Sequence, residues 1–389
     1  MNKGLVSLLL GGLGIGITEF VMMGLLPVLA NHFHVSIPSA GNFITFYALG
    51  VVVGAPILVL IAGRYPPKTL LIILMVLFTV FNGLSAFAPT YTTFIFCRFL
   101  AGLPHGAFFG VGAVVASRIA QPGKQARAVA IMFSGLTLAN VIGVPLGTYL
   151  GFHFSWRLPF VLVTSVGVIT LLSLFFWLPN LAPRGKHNIA GELSFFTSMQ
   201  AWLVMLIICI GTSGLFSWFS YITPLLTHIS HFHPGSVAYI MVIAGAGMLV
   251  GNLIGGRLSD HSSPIKATSG LLVSMAIILL IVHFTAFNKP MALIMTFITG
   301  ANAFAMASPI QMMMIRCFSG SEMLASAISQ ACFNIGNALG AFLGGLPMVY
   351  GYAYNAPELV GAGMVIISLF FMLIFVVQKR NATHNGSMM

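Results

Sequence analysis

Leu5-Val6-Ser7-Leu8-Leu9-Leu10-Gly11-Gly12-Leu13-Gly14-Ile15-Gly16-Ile17-Thr18-Glu19-Phe20-Val21-Met22-Met23-Gly24-Leu25-Leu26-Pro27-Val28-Leu29-Ala30 is one apolar run holding a single acid. A helix needs ~20 apolar residues to cross a ~30 Å hydrocarbon layer. The run is long enough, and it exceeds the ~7–15 apolar residues of a signal-peptide core. No small-residue cleavage site of the usual kind follows Met1-Asn2-Lys3. We read it as a first membrane span.

The rest of the chain repeats this character. Of 389 residues, 58% are hydrophobic and 5% charged, about a fifth of the ~25% charge of a soluble domain. Such a chain lacks the polar surface that water demands. Apolar runs between polar or turn-rich breaks fall near 5–30, 40–62, 69–88, 92–117, 126–150, 157–179, 201–227, 236–258, 264–287, 290–315, 321–349 and 355–378. The fold expected is an all-α integral membrane bundle of about twelve transmembrane helices in two six-helix halves. The expected division is 1–179 for the first half, 180–200 for a linker, 201–380 for the second half and 381–389 for a tail.

Lysine and arginine concentrate in cytoplasmic loops. Placing Lys3 inside also places Arg64, Lys68, Arg118, Lys124, Arg127, Arg184, Lys186, Arg257, Lys266, Arg316, Lys379 and Arg380 inside, leaving Arg157 and Lys289 outside. Both termini are therefore expected to be cytoplasmic. The basic excess of +11 is spread between spans, so it reads as topology rather than as a nucleic-acid face. Cys97, Cys209, Cys317 and Cys332 lack metal-site spacing, and no metal or cofactor is expected. No P-loop, nucleophile or paired-carboxylate pattern points to an enzyme or to ATP-driven pumping.

The halves carry a faint repeat. At one constant offset, Pro27, Gly50 and Gly54 match Pro224, Gly247 and Gly251, and Asn140, Gly143 and Gly147 match Asn337, Gly340 and Gly344. Small residues at such spacing let helices approach closely in lipid. Two repeats with a site at their interface is a common plan of transporters.

Within the spans the candidate chemistry is sparse. Glu19 is the only acid deep inside an apolar run, and an intramembrane carboxylate reads as functional by default. Counting ~1.5 Å per residue puts Glu19 and Arg98 at nearly the same depth, so a direct or water-mediated ion pair is open to them. Either the pair fixes one helix against another, or Glu19 takes up and releases a proton, burial favouring the neutral acid and Arg98 the carboxylate. His105 stands seven residues after Arg98 on the same helical face; it is either a second proton-coupling group or a hydrogen-bonded core histidine. Asn42, Tyr47, Asn140, Trp218, Tyr221, Asn252, Gln311, Gln330, Asn334 and Asn337 offer hydrogen bonds without buried charge. They line a central cavity or tie helices together. His32, His34, His231 and His233 fall in expected outer loops and are read as decoration.

Several longer patterns then converge. Arg98-x3-Gly102-x2-His105-Gly106-x-Phe108-Phe109-Gly110, Asn140-x2-Gly143-x-Pro145-x-Gly147, Ser155-Trp156-Arg157-Leu158-Pro159-Phe160, Tyr47-Ala48-Leu49-Gly50-x3-Gly54-Ala55-Pro56 and Tyr221-Ile222-Thr223-Pro224 lie along most of the chain. In them the chain resembles the major facilitator superfamily, specifically bacterial drug:proton antiporters of the arabinose-efflux-permease or sugar-efflux type. The resemblance implies a monomer in the bacterial inner membrane that exports a small molecule by alternating access in exchange for protons. It assigns proton coupling to the positions of Glu19 and Arg98. One departure is Gly63 before Arg64, where the family usually carries an acid; Gly251-x3-Gly255-Gly256-Arg257-Leu258-x-Asp260 is closer to pattern. Gating is therefore assigned to Arg64, Arg257 and Asp260, with more weight on the second loop. With few charges lining the cavity, a neutral or cationic solute such as a sugar or drug is expected. Proton-driven uptake by symport and a non-transporting receptor or scaffold are the competing readings.

Overall fold

The computed structural model describes residues 2–62, 65–122, 124–182, 198–317 and 322–386. These residues form helices joined by short turns, and twelve of the helical segments are long and apolar enough to cross a membrane. In chain order the spans are Lys3–His32, Ile37–Leu58, Pro67–Ala86, Tyr91–Ile119, Arg127–His153, Leu158–Trp177, Met199–Ser220, Pro234–Leu258, Pro264–Thr285, Lys289–Cys317, Ile328–Val349 and Pro357–Lys379. They are called spans 1 to 12 below.

Local chemistry sets the breaks. Span 3 stops at Ala86, Pro89 cannot continue a helix, and Thr90 caps span 4 by accepting a hydrogen bond from the Thr93 amide at 3.2 Å. Ser198, Ser263 and Asn288 cap spans 7, 9 and 10 in the same way. Three spans expected to be regular are interrupted. Span 5 contains a π turn over Ala139–Gly143, just before Pro145. Span 7 yields at Tyr221 to a short turn and a second π turn over Leu225–Ile229, next to Pro224. Span 10 breaks at Met306, between Lys289–Ala305 and Ala307–Cys317. Each interruption lies beside a proline, whose missing N–H removes a rung of the ladder; in span 10 it is Pro309.

Most of the linker, with Arg184, Lys186, His187 and Glu192, lies outside the described residues, as do Gly63 and Arg64. The final helix runs Pro357–Gly386, so the expected tail at 381–389 is helical as far as Gly386. No proline interrupts it after the first position.

Spans 1, 4 and 7 are mostly buried, whereas spans 6, 9 and 12 turn most of their length outward. The outward faces carry large apolar side chains such as Leu172, Phe176, Ile277, Phe284, Phe370 and Leu373. A surface of that kind belongs against lipid tails.

The sequence repeat becomes a repeat of packing. Gly50 and Gly54 of span 2 lie against the backbone of Phe99 and Leu103 in span 4; Gly247 and Gly251 of span 8 lie against Phe297 and Ala301 in span 10. Gly143 and Gly147 of span 5 receive Ile17 and Val21 of span 1, while Gly340 and Gly344 of span 11 abut Ser213 and Ser217 of span 7. At Gly251 an added Cβ would collide with the Ala301 carbonyl, which is backbone and has no rotamer to escape into. Gly251→Val is expected to cost about 1–3 kcal/mol by overpacking, seen as a lower melting temperature of the purified protein.

The two sets of six spans meet along spans 2 and 11, spans 5 and 8, and spans 1 and 7. At the end of the bundle away from Lys3 this seam is closed. Tyr221 donates its hydroxyl proton to the Ala341 carbonyl, and Thr223 Oγ1 donates to the Met23 carbonyl at 2.8 Å. The Tyr221 hydroxyl also packs beside Gly41 and Gly345.

Candidate functional site

Glu19 lies midway along span 1 and is 3% exposed. Its side chain faces the other set of six spans, where Asn337 Nδ2 of span 11 donates to Glu19 Oε1 at 3.5 Å. Phe20, next in the chain, packs against Phe216 and Phe219 of span 7 and Phe304 of span 10, with ring centroids 6.5, 6.1 and 6.4 Å away. A carboxyl so placed carries charge only at high cost unless it is paired.

Arg98 of span 4 is fully buried but is held by the residue before the acid. Its Nη1 donates to Thr18 Oγ1 at 2.9 Å, its Nη2 to the Thr18 carbonyl at 3.1 Å, and its Nε to the Phe43 carbonyl at 3.4 Å. Thr18 Oγ1 donates in turn to Asn82 Oδ1 of span 3, and Asn82 Nδ2 donates to the Phe78 carbonyl at 2.8 Å. Beneath the guanidinium lies the Tyr47 ring, 4.2 Å to its centroid, a cation–π contact. The Tyr47 hydroxyl is 3.2 Å from His105 Nδ1. One buried chain therefore runs Asn82, Thr18, Arg98, Tyr47, His105, tying spans 1 to 4 together.

The equal depth of Glu19 and Arg98 thus gives neighbourhood without a direct ion pair. Successive helical residues project ~100° apart, so Thr18 faces span 4 while Glu19 faces span 11. The guanidinium spends its donors on Thr18 and Phe43.

The remaining candidates divide. Asn42 is partly buried and donates to the Tyr91 hydroxyl at 2.9 Å, while Tyr91 donates to the Ser39 carbonyl; this joins spans 2 and 4. Tyr221 closes the seam, as described above. Trp218 is buried and stacks on Phe219, facing a small hollow lined by Leu225, Val282 and Met295. Asn140 sits in the π turn of span 5, and its carbonyl meets Gly245 of span 8. Its side chain and that of Asn334 donate back to Leu136 and Gln330 carbonyls of their own helices, both at 3.0 Å. The Oδ1 atoms of Asn140, Asn334 and Asn337 are buried without a partner. Gln311 and Gln330 are partly exposed. Of the gating candidates, Arg64 and the Asp260 side chain lie outside the described residues, and Arg257 is exposed.

Sequence reading missed Thr18 and Asn82 altogether. Their only signal is a polar side chain inside an apolar run, which threonine and asparagine share with many helix-tying residues.

Twelve spans in two sets of six, meeting around a buried acid, have the plan of a polytopic membrane transporter. The Major Facilitator Superfamily model matches residues 8–323 and 220–388, and the chain belongs to that superfamily. It is 40% identical over 381 residues to the inner membrane transport protein YdhP of Escherichia coli strain K12, covering 98% of this chain and 97% of that one. It is 28% identical to a chloramphenicol resistance protein of Streptomyces lividans, over 84% of each chain. It is 27% identical to a protein of Helicobacter pylori named probable sugar efflux transporter, over 93% of this chain and 92% of that one. The crystal structure of a D-xylose-proton symporter superposes with a TM-score of 0.78 at 16% identity, covering 96% and 97%, a likeness of fold alone. The protein is a multi-pass transporter of the bacterial inner membrane.

Proposed function

We propose that this transporter is a proton-coupled exporter of a small neutral or cationic solute, of the sugar or drug class, working by alternating access. The observation that carries the reading is Glu19: a buried acid at mid-span, facing the opposite half, beside a buried arginine network. In this reading Glu19 is the proton carrier, and Arg98, held by Thr18 and Phe43, keeps a fixed positive charge close by. His105 supports Arg98 through Tyr47. The units are 1–179 and 201–380, acting as one monomer, with the basic end and both termini in the cytoplasm. The names of the Streptomyces and Helicobacter relatives favour efflux, and the unpartnered Oδ1 of Asn334 suits a solute that offers N–H or O–H donors. Arg257 and Asp260 are assigned to the cytoplasmic gate.

The test uses everted vesicles with an acidified lumen. An antiporter accumulates solute inside while protons leave, whereas a symporter expels solute from the lumen. Accumulation that collapses with the proton gradient is the expected result; gradient-driven expulsion would replace antiport with symport.

A further inference from the structure

Three buried asparagines of spans 5 and 11 can be compared side by side. Asn140 and Asn334 each turn the amide N–H back onto a carbonyl one turn earlier in the same helix. Asn337 does otherwise: its Nδ2 leaves the helix and crosses the seam to Glu19 Oε1. Asn140 is the repeat mate of Asn337 at the constant offset, yet the amide that meets the acid lies only in span 11. The contact is therefore not a by-product of the repeat.

The contact is also half made. Asn337 Oδ1 is buried and has no hydrogen-bond partner, and a buried polar atom left open calls for an explanation. A neutral carboxylic acid has what this atom lacks, an O–H donor. We propose that Asn337 is the positioning residue through which the second half reads the protonation of Glu19, and this rests on the proton-carrier reading above. When Glu19 takes a proton from hydronium, its new O–H donates to Asn337 Oδ1 while Asn337 Nδ2 donates to the other carboxyl oxygen. An acid and a primary amide then close a ring of two hydrogen bonds across the seam. When the proton returns to water, the O–H is lost, one bond goes, and the amide oxygen is left facing a carboxylate. No group but the proton is transferred.

Among the described residues, the charged and titratable side chains that act on Glu19 are Arg98 of span 4 and Tyr47 of span 2, and span 11 adds the neutral Asn337. Arg98 and Tyr47 belong to the same half as Glu19, so their distances to the acid are set within that half. Asn337 is the group whose contact with Glu19 opens when the halves part. Protonation exchanges one charge-assisted bond across the seam for a closed pair of neutral bonds and removes a buried charge from it, which links proton occupancy to the position of the halves.

The chain has five Asp and Glu residues in all, which makes carboxyl infrared spectroscopy tractable. Full-length protein in lipid is titrated with pH, and the protonated-carboxyl C=O band that Glu19→Gln removes is assigned to Glu19. In Asn337→Leu that band is expected at higher wavenumber, because the carboxyl loses its hydrogen bonds to the amide. Asn337→Ser, too short to close the ring, is expected to do the same and serves if the leucine variant does not fold. A band unchanged in position in the folded variants overturns the proposal. If Glu19→Gln removes no titrating band, the proton-carrier reading falls first and the proposal with it.

Discussion

Glu19→Gln is expected to reduce proton-driven solute accumulation to background while solute binding and solute–solute exchange persist. Glutamine has the size of glutamate and keeps a side-chain oxygen where Asn337 Nδ2 donates. The neighbouring rings of Phe216, Phe219 and Phe304 keep their contacts with Phe20. What disappears is the ability to gain and lose a proton. Exchange needs the halves to rock but needs no net proton movement, so it isolates the coupling step. Any loss of solute affinity is expected to stay within about tenfold, the worth of one hydrogen bond. Reconstituted protein, with a proton gradient imposed in one arm and counterflow measured in the other, reads both effects. Full gradient-driven transport by the variant would remove Glu19 from the coupling role. Loss of counterflow as well would make the residue a support of the fold.

The membrane fold is legible in the sequence because lipid imposes a simple rule: each span must be long, apolar and internally hydrogen-bonded. The twelve runs and the break at Pro89 follow from that rule. The glycine pairs are legible for a related reason. Gly50 with Gly54 and Gly247 with Gly251 bring backbones together, and only a missing side chain allows it. The site is less legible because its meaning lies in azimuth, not depth. Depth can be counted along a chain, and it correctly brings Glu19 and Arg98 to one level. Which way each side chain points depends on how four helices rotate against one another. That rotation gives Arg98 to Thr18 and leaves Glu19 to Asn337. Asn42 and Tyr221 show the same limit: both are polar groups inside spans, and both tie helices together.

Arg98→Lys is expected to be nearly as damaging as loss of the acid, although it preserves the charge. The guanidinium reaches three acceptors on two helices: the Thr18 hydroxyl, the Thr18 carbonyl and the Phe43 carbonyl. Its flat face also covers the Tyr47 ring. An ammonium is a compact point charge that cannot span these acceptors at once or stack in the same way. At least one charge-assisted bond to these groups would be lost, at about 1.5–3 kcal/mol, although both carbonyls keep their intrahelical partners. Thr18 Oγ1 would lose its fixed orientation toward Asn82. Since Thr18 and Glu19 share one turn of span 1, the position of the acid relaxes with it. The expected outcome is a lower melting temperature together with at least a tenfold fall in gradient-driven transport, 1.4 kcal/mol corresponding to a factor of about ten. Thr18→Val, which removes the hydroxyl but leaves the carbonyl bond to Nη2, is expected to fall between wild type and the lysine variant in both measurements. A lysine variant with unaltered stability and transport would show that positive charge alone is needed, and the three-point grip on spans 1 and 2 would then have no part in holding Glu19 toward the seam.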